Sequence, residues 1–306
     1  GLSTKPVKTK PAPPREPLFH YKPSTKTPRP AKPRTRKAAS SPSELSLIWG
    51  LFYDLIRAPG FLILLLIGRA DPKAALVPFH RLWNFALSAR ATATLIVMNV
   101  LVFAVELFLQ TRWPKDRFWS TFAFSPQALW QGQLLPAVLH VFSHASVPHL
   151  LSNMLALFVF GRVVESLLGP WRMLGAYATA AVAATLVSLL AQGLSGQYVP
   201  TLGASGAVAG LIALGVLLSP LSITFEALVP MPLFLVGWIA MAGDVLALWA
   251  KAKDSVDHPA HVGGYLSVVL VYRLLPHKLK AKARFGLLLN VLTVLFALVL
   301  WYVRTP

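Results

Sequence analysis

Gly203-Ala204-Ser205-Gly206-Ala207-Val208-Ala209-Gly210 sets a serine among small residues, at the start of an apolar run that continues to Leu218. A hydroxyl there is either a packing detail between membrane helices or a nucleophile held inside a membrane. Gly206-x-x-x-Gly210 is a small-xxx-small face that lets another helix approach closely. The face that matches it is Ala260-x-x-x-Gly264, with His261 one position after Ala260. If those faces pack, an imidazole is brought beside the Ser205 hydroxyl.

The rest of the chain supplies the membrane. Of 306 residues, 55% are hydrophobic and 13% charged, too little charge to cover a soluble domain of this size. There is no cysteine, so thiol nucleophiles, disulfides and thiolate metal sites are excluded. Net charge is +18, of which residues 1–37 carry +10. Residues 1–44 read as a disordered tail, since ten prolines among Lys, Arg, Ser and Thr in residues 1–42 form no core. Prolines this dense also forbid the long amphipathic helix of an organelle transit peptide. The tail suits anionic lipid headgroups, and no aromatic-basic module accompanies it to point to nucleic acid.

Residues 45–89 read as a membrane-associated segment and linker. Asp54, Arg57 and Pro59 interrupt its apolar character, and Gly60 to Ile67 is too short to span. Clear spans are predicted over Ala91 to Leu109, Val147 to Leu168, Trp171 to Ala191, Gly203 to Leu218, Ala227 to Ala250 and His258 to Leu275. A basic loop, His277 to Arg284, then precedes a further span from Phe285 to Val303. The loop Gln110 to Gln133 mixes Trp113, Phe118, Trp119, Phe122, Phe124 and Trp130 with Arg112, Lys115 and Arg117, a composition for the headgroup zone. Basic residues favour a cytoplasmic position for the side that holds Arg69 to Arg90 and the His277 loop.

Polar groups at membrane depth are functional candidates, because each must pair or line a hydrated cavity. His140, His144, His149, His258, His261, Asn153 and Glu165 all lie in or beside spans. His149 and Asn153 are four apart and share a helix face, as do His140 and His144 if the helix extends back to them. His140-x-x-x-His144 has metal-ligand spacing but lacks the glutamate of a zinc protease, so hydrogen-bonded packing is the stronger reading and no metal is expected. A Ser205–His261 pair suits acyl transfer, with imidazole as general base and then general acid. Ser205 opens its helix, where backbone N–H groups face an oxyanion, and His149 and Asn153 offer further donors. No acid follows His261 in the wall of this site, so the expected arrangement is a dyad.

These residues together resemble the rhomboid family of intramembrane serine proteases. The resemblance covers roughly Thr92 to Leu275 and rests on three motifs in order: His144-(four residues)-His149-Leu-Leu-Ser-Asn153-Met, Gly203-Ala-Ser205-Gly206, and Ala260-His261-Val-Gly-Gly264. It implies an all-α polytopic membrane protein with a six-helix core at residues 90–275. Residues 276–306 add a basic loop and an extra C-terminal transmembrane helix. It implies Ser205 as nucleophile, His261 as base, and an oxyanion hole of His149, Asn153 and the Ser205 backbone N–H. His140, His144, Gly203, Gly206 and Gly264 then line the site or pack its helices, and Glu165 has a structural role. Two positions depart from the family's usual pattern. Leu134-Leu135-Pro136 stands where many members have Trp-Arg, and Ala209 stands where many place an aromatic ring against the catalytic histidine. His258 and Trp238 are the candidates left to hold that histidine.

The expected activity is hydrolysis of peptide bonds in or next to transmembrane segments of other proteins, without a cofactor. The alternatives are a non-proteolytic relative that binds client helices and a transporter with a histidine proton relay. The membrane expected first is a bacterial inner membrane, with the mitochondrial inner membrane second.

Overall fold

The computed structural model describes residues 59–69, 83–85 and 87–304, with Gly50, Tyr53 and His80, and without 86, 227, 228, 252, 253 and 255. The expectations for the basic tail, and for most of 45–89, lie outside these residues. Within the second segment, 59–66 is helical.

The described chain is an all-α polytopic membrane protein carrying one small hairpin. Helix α1 (Arg90–Gln110) is followed by a first loop that holds two short helices, α2 (Lys115–Phe122) and α3 (Pro126–Trp130), and then α4 (Leu134–Leu139). Helix α5 (Val147–Ala156) passes through a π turn at Leu157–Gly161 into α6 (Arg162–Leu168), so Val147–Leu168 is one span. Helices α7 (Pro170–Ser195) and α8 (Ser205–Leu218) follow, then strands β1 (Ile223–Glu226) and β2 (Val229–Pro232). Helix α9 (Leu233–Trp249), α10 (His258–Leu266), α11 (Val268–Leu274) and α12 (His277–Arg304) complete the chain. Among the described residues, α1, the α5–α6 span, α7 and α12 are long and apolar enough to cross a membrane.

The centre is α8. Gly206, Ala207, Val208, Ala209, Gly210 and Leu211 are all buried, and α8 packs against α7, α10 and α12. The small faces meet at van der Waals limits. A Cβ added at Gly264 would lie 2.0 Å from the Gly206 carbonyl oxygen, and one at Gly210 would lie 3.0 Å from that of Gly264. Glycine at 210 and 264 is therefore what sets the α8–α10 separation, while Gly206 makes room for Ala184 of α7.

Two expectations are corrected. The span read as Ala227 to Ala250 starts only at Leu233, because Val229-Pro-Met-Pro232 pairs with β1 instead. Pro230 and Pro232 have no N–H for a helix ladder and fit the edge of a two-stranded ribbon. The basic run His277 to Arg284 is not a loop but the first two turns of α12. Lys, Ala, Leu and Arg are good helix formers, and their charge does not interrupt the helix.

Candidate active site

Ser205 is the first residue of α8, with Ala204 as its N-cap and fully buried. First-turn N–H groups have no partner within the helix and point out of its N-terminal end, where Ser205 stands. The approach to α8 is fixed by three backbone bonds. Phe124 and Thr201 exchange N–H···O bonds of 2.8 Å, and the Gly203 N–H donates to the His140 carbonyl at 2.8 Å. The first loop, which lacks Trp-Arg, is thus anchored to the segment that delivers Ser205. Gly203 has φ +133°, and a Cβ there would lie 3.1 Å from Nε2 of His149 and 3.6 Å from Oγ of Ser205. That bare position puts His149 beside the serine, and only glycine leaves it open.

His261 sits on α10, whose N-terminus is capped by Asp257 through the Ala260 N–H at 3.0 Å. Asp257 also accepts from the Ser188 hydroxyl at 2.6 Å, which ties α10 to α7. The feature absent from the sequence reading is Asp244, on α9. Its Oδ1 accepts from Nδ1 of His261 at 2.8 Å and from Nδ1 of His258 at 2.7 Å. Its Oδ2 accepts from the Tyr265 hydroxyl at 2.5 Å. This corrects the expectation of a site without an acid: the carboxylate lies upstream of His261 on a different helix. It also answers what holds the imidazole where Ala209 offers no ring. Trp238 plays no part in this, since its Nε1–H donates to Oδ1 of Asn290 on α12 at 2.6 Å.

A carboxylate can only accept, so Nδ1 of His261 carries the proton and Nε2 of the neutral ring is a lone pair. That Nε2 is buried and makes no hydrogen bond, so the Ser205 hydroxyl does not bond it in this resting geometry. Looser nucleophile–base contacts are common before substrate binds. His149 lies within electrostatic reach of His261. A cavity of about 30 Å³ beside Ser205 is lined by His140, Thr185, Ser188, Gly203 and Asp257, room for a single water.

The remaining predicted residues divide. Asn153 is buried, and its Nδ2 donates to the His149 carbonyl at 2.9 Å, steadying the turn that carries His149. His140 and His144 do not share a helix face, because α4 ends at Leu139 and the next helix begins at Val147. Nδ1 of His140 donates to the Pro136 carbonyl at 3.0 Å and its Nε2 meets the Thr185 hydroxyl at 3.2 Å. His144 donates through Nδ1 to the Phe142 carbonyl at 3.2 Å and stands edge-on to His149, with ring centroids 5.1 Å apart. Its backbone N–H donates to Glu106 of α1 at 3.1 Å. Glu165 accepts from the backbone N–H of Ala91 and Thr92 and from the Thr92 hydroxyl, at 2.9, 2.8 and 2.7 Å, and so caps α1 from another helix. Among the described residues, the side chains that converge at metal-ligand spacing are Asp244, His258 and His261, not His140 and His144.

Comparison with known proteins bears on this geometry. Residues 131–277 match the Rhomboid domain family. The human presenilin-associated rhomboid-like protein, mitochondrial, is 31% identical over 195 residues, 61% of this chain and 49% of that protein. RHOMBOID-like protein 12, mitochondrial, of Arabidopsis thaliana is 26% identical over 185 residues, 55% of each chain. Rhomboid protein 1, mitochondrial, of Saccharomyces cerevisiae is 34% identical over 134 residues, 42% of this chain and 38% of that protein. The chain spans about half the length of the first two of these relatives. The matched domain runs from the end of the first loop through α11 and so contains Ser205, Asp244 and His261.

Proposed function

This chain belongs to the rhomboid family, and from that premise we propose that it is an intramembrane serine endopeptidase acting through Ser205, His261 and Asp244. The observation that carries the reading is the Asp244–His261 bond, which leaves the buried Nε2 of a half-buried imidazole as a base on the helix packed against the serine.

In this mechanism the Ser205 oxygen attacks the scissile carbonyl carbon while its proton passes to Nε2 of His261. The oxyanion is held by N–H groups at the start of α8 and by His149, whose backbone turn Asn153 steadies. Collapse breaks the C–N bond, and the imidazolium returns its proton to the leaving amine. Water then repeats the sequence on the ester, releasing the acid and restoring the Ser205 hydroxyl. Asp244 keeps the productive tautomer and stabilises the imidazolium without taking its proton. Substrates are helices of other membrane proteins that unwind near the surface, which Gly and Pro in the substrate favour.

The relatives' names support a mitochondrial membrane in place of the bacterial inner membrane expected from the sequence. Comparing the purified protein with Ser205→Ala on a model transmembrane substrate tests the activity. Wild type cleaves and Ser205→Ala does not. Equal cleavage by both refutes the proposal and favours a helix-binding relative.

A further inference from the structure

Asp244 is shared by two histidines, and the mechanism uses only one of them. Nδ1 of His258 and Nδ1 of His261 both approach Oδ1 of Asp244, at 2.7 and 2.8 Å. The three potential ligand atoms lie within 4.8 Å of one another. The side chains are 12%, 17% and 9% exposed for His258, His261 and Asp244, so the cluster is not sealed inside the helices. Two of the three outer atoms are also supported. The remaining oxygen of Asp244 is held by the Tyr265 hydroxyl at 2.5 Å, and Nε2 of His258 faces both oxygens of Asp254 at 3.2 Å. A carboxylate behind a ligating imidazole, and a hydrogen bond behind a ligating carboxylate, are the supports that orient metal ligands.

We propose that Asp244, His258 and His261 form an inhibitory site for a divalent transition-metal ion, zinc foremost. The proposal rests on the reading of His261 as general base. Two imidazoles and one carboxylate suit zinc, with water as fourth ligand, and do not suit magnesium or calcium. Tetrahedral bonds of about 2.0–2.1 Å set ligand atoms roughly 3.3 Å apart, so the two hydrogen-bonded pairs need to open by about half an ångström.

Inhibition follows from proton placement. Zinc binds Nδ1 of each ring, so each ring's proton must lie on Nε2. For His258 that proton is received by Asp254. For His261 it occupies the nitrogen that has to accept from Ser205, and the general base is lost while the metal stays. If His258 starts as the imidazolium, its Nδ1 proton is released to solvent.

The test is zinc titration of full-length Ser205→Ala protein in detergent, against a chromophoric zinc chelator. One zinc per chain is expected, with His258→Gln weakening it at least about 100-fold and Asp254→Asn about 10-fold. Asp254 is exposed and hydrogen-bonds neither Ser205 nor His261, so zinc-free cleavage by Asp254→Asn stays at the wild-type rate. The zinc concentration that half-inhibits wild type rises about 10-fold in that variant, and a chelator restores activity. No stoichiometric zinc on Ser205→Ala, or zinc that His258→Gln leaves unchanged, overturns the site. Because binding is read on an inactive chain, zinc that binds through His258 to a protein that cleaves nothing upholds the site and refutes the protease.

Discussion

Two carboxylates in the helical core, Glu165 on α6 and Asp244 on α9, are both paired, but with different kinds of donor. Glu165 receives two backbone N–H groups and one threonine hydroxyl, none of which changes protonation in the physiological range. Asp244 receives two imidazoles and a phenol. The first arrangement closes the open end of α1 and finishes there. The second leaves a titratable partner, His261, with its far nitrogen unpaired. In a membrane protein, then, burial of a charge does not separate architecture from chemistry. The donors around it do.

Asp244→Asn probes the chemical side of the contrast. It keeps the shape but lets the amide donate to Nδ1 of His261, forcing the wrong tautomer, and cleavage should fall on the order of 10³- to 10⁴-fold. The loss should be in kcat with KM unchanged, and Asp244→Glu should recover part of it. A smaller loss comes from Gly264→Ala. The new methyl meets the Gly206 carbonyl oxygen at 2.0 Å, so α8 and α10 must move apart. A displacement near 1 Å between Ser205 and His261 lowers the rate about 10²-fold. Gly206→Ala should give a similar loss by another route, because a methyl there meets Cβ of Ala184 on α7 at 2.5 Å and displaces the start of α8. Glu165→Gln stands at the other end. Cleavage per folded molecule should be unchanged, while stability drops by about 1–3 kcal/mol as one α1 N–H loses its acceptor. Thermal unfolding in detergent reads the stability, and a turnover defect that persists in the folded fraction would erase the distinction between the two carboxylates.

The sequence made the approach of the Ser205 and His261 helices legible because both residues lie beside small-residue faces, and such faces predict which helices touch. That approach follows from Gly206, Gly210, Ala260 and Gly264. Glu165 was legible as a structural residue, though its partners at Ala91 and Thr92 were not, since nothing in a chain marks where a distant helix begins. Asp244 was missed for a related reason. It lies 17 positions before His261 on another helix, and a search for an acid after the histidine passes it by. A signal was present all the same: it is the one acid in the apolar helix Leu233–Trp249, and a lone carboxylate at such depth requires partners. The hairpin at Ile223–Pro232 was hidden by its apolar composition, with Pro230 and Pro232 the overlooked marks. The basic start of α12 was hidden by charge, which locates a membrane boundary but not the end of a helix.

Labelling by a fluorophosphonate probe, with the modified residue mapped by mass spectrometry, tests the Ser205–His261–Asp244 unit most directly. The account predicts a single adduct on Ser205 in wild type, none in Ser205→Ala, and a sharp fall in labelling rate in both His261→Ala and Asp244→Asn. Labelling of Asp244→Asn at the wild-type rate would show that the carboxylate does not act on the histidine, and undiminished labelling of Ser205→Ala would remove the serine from the chemistry altogether.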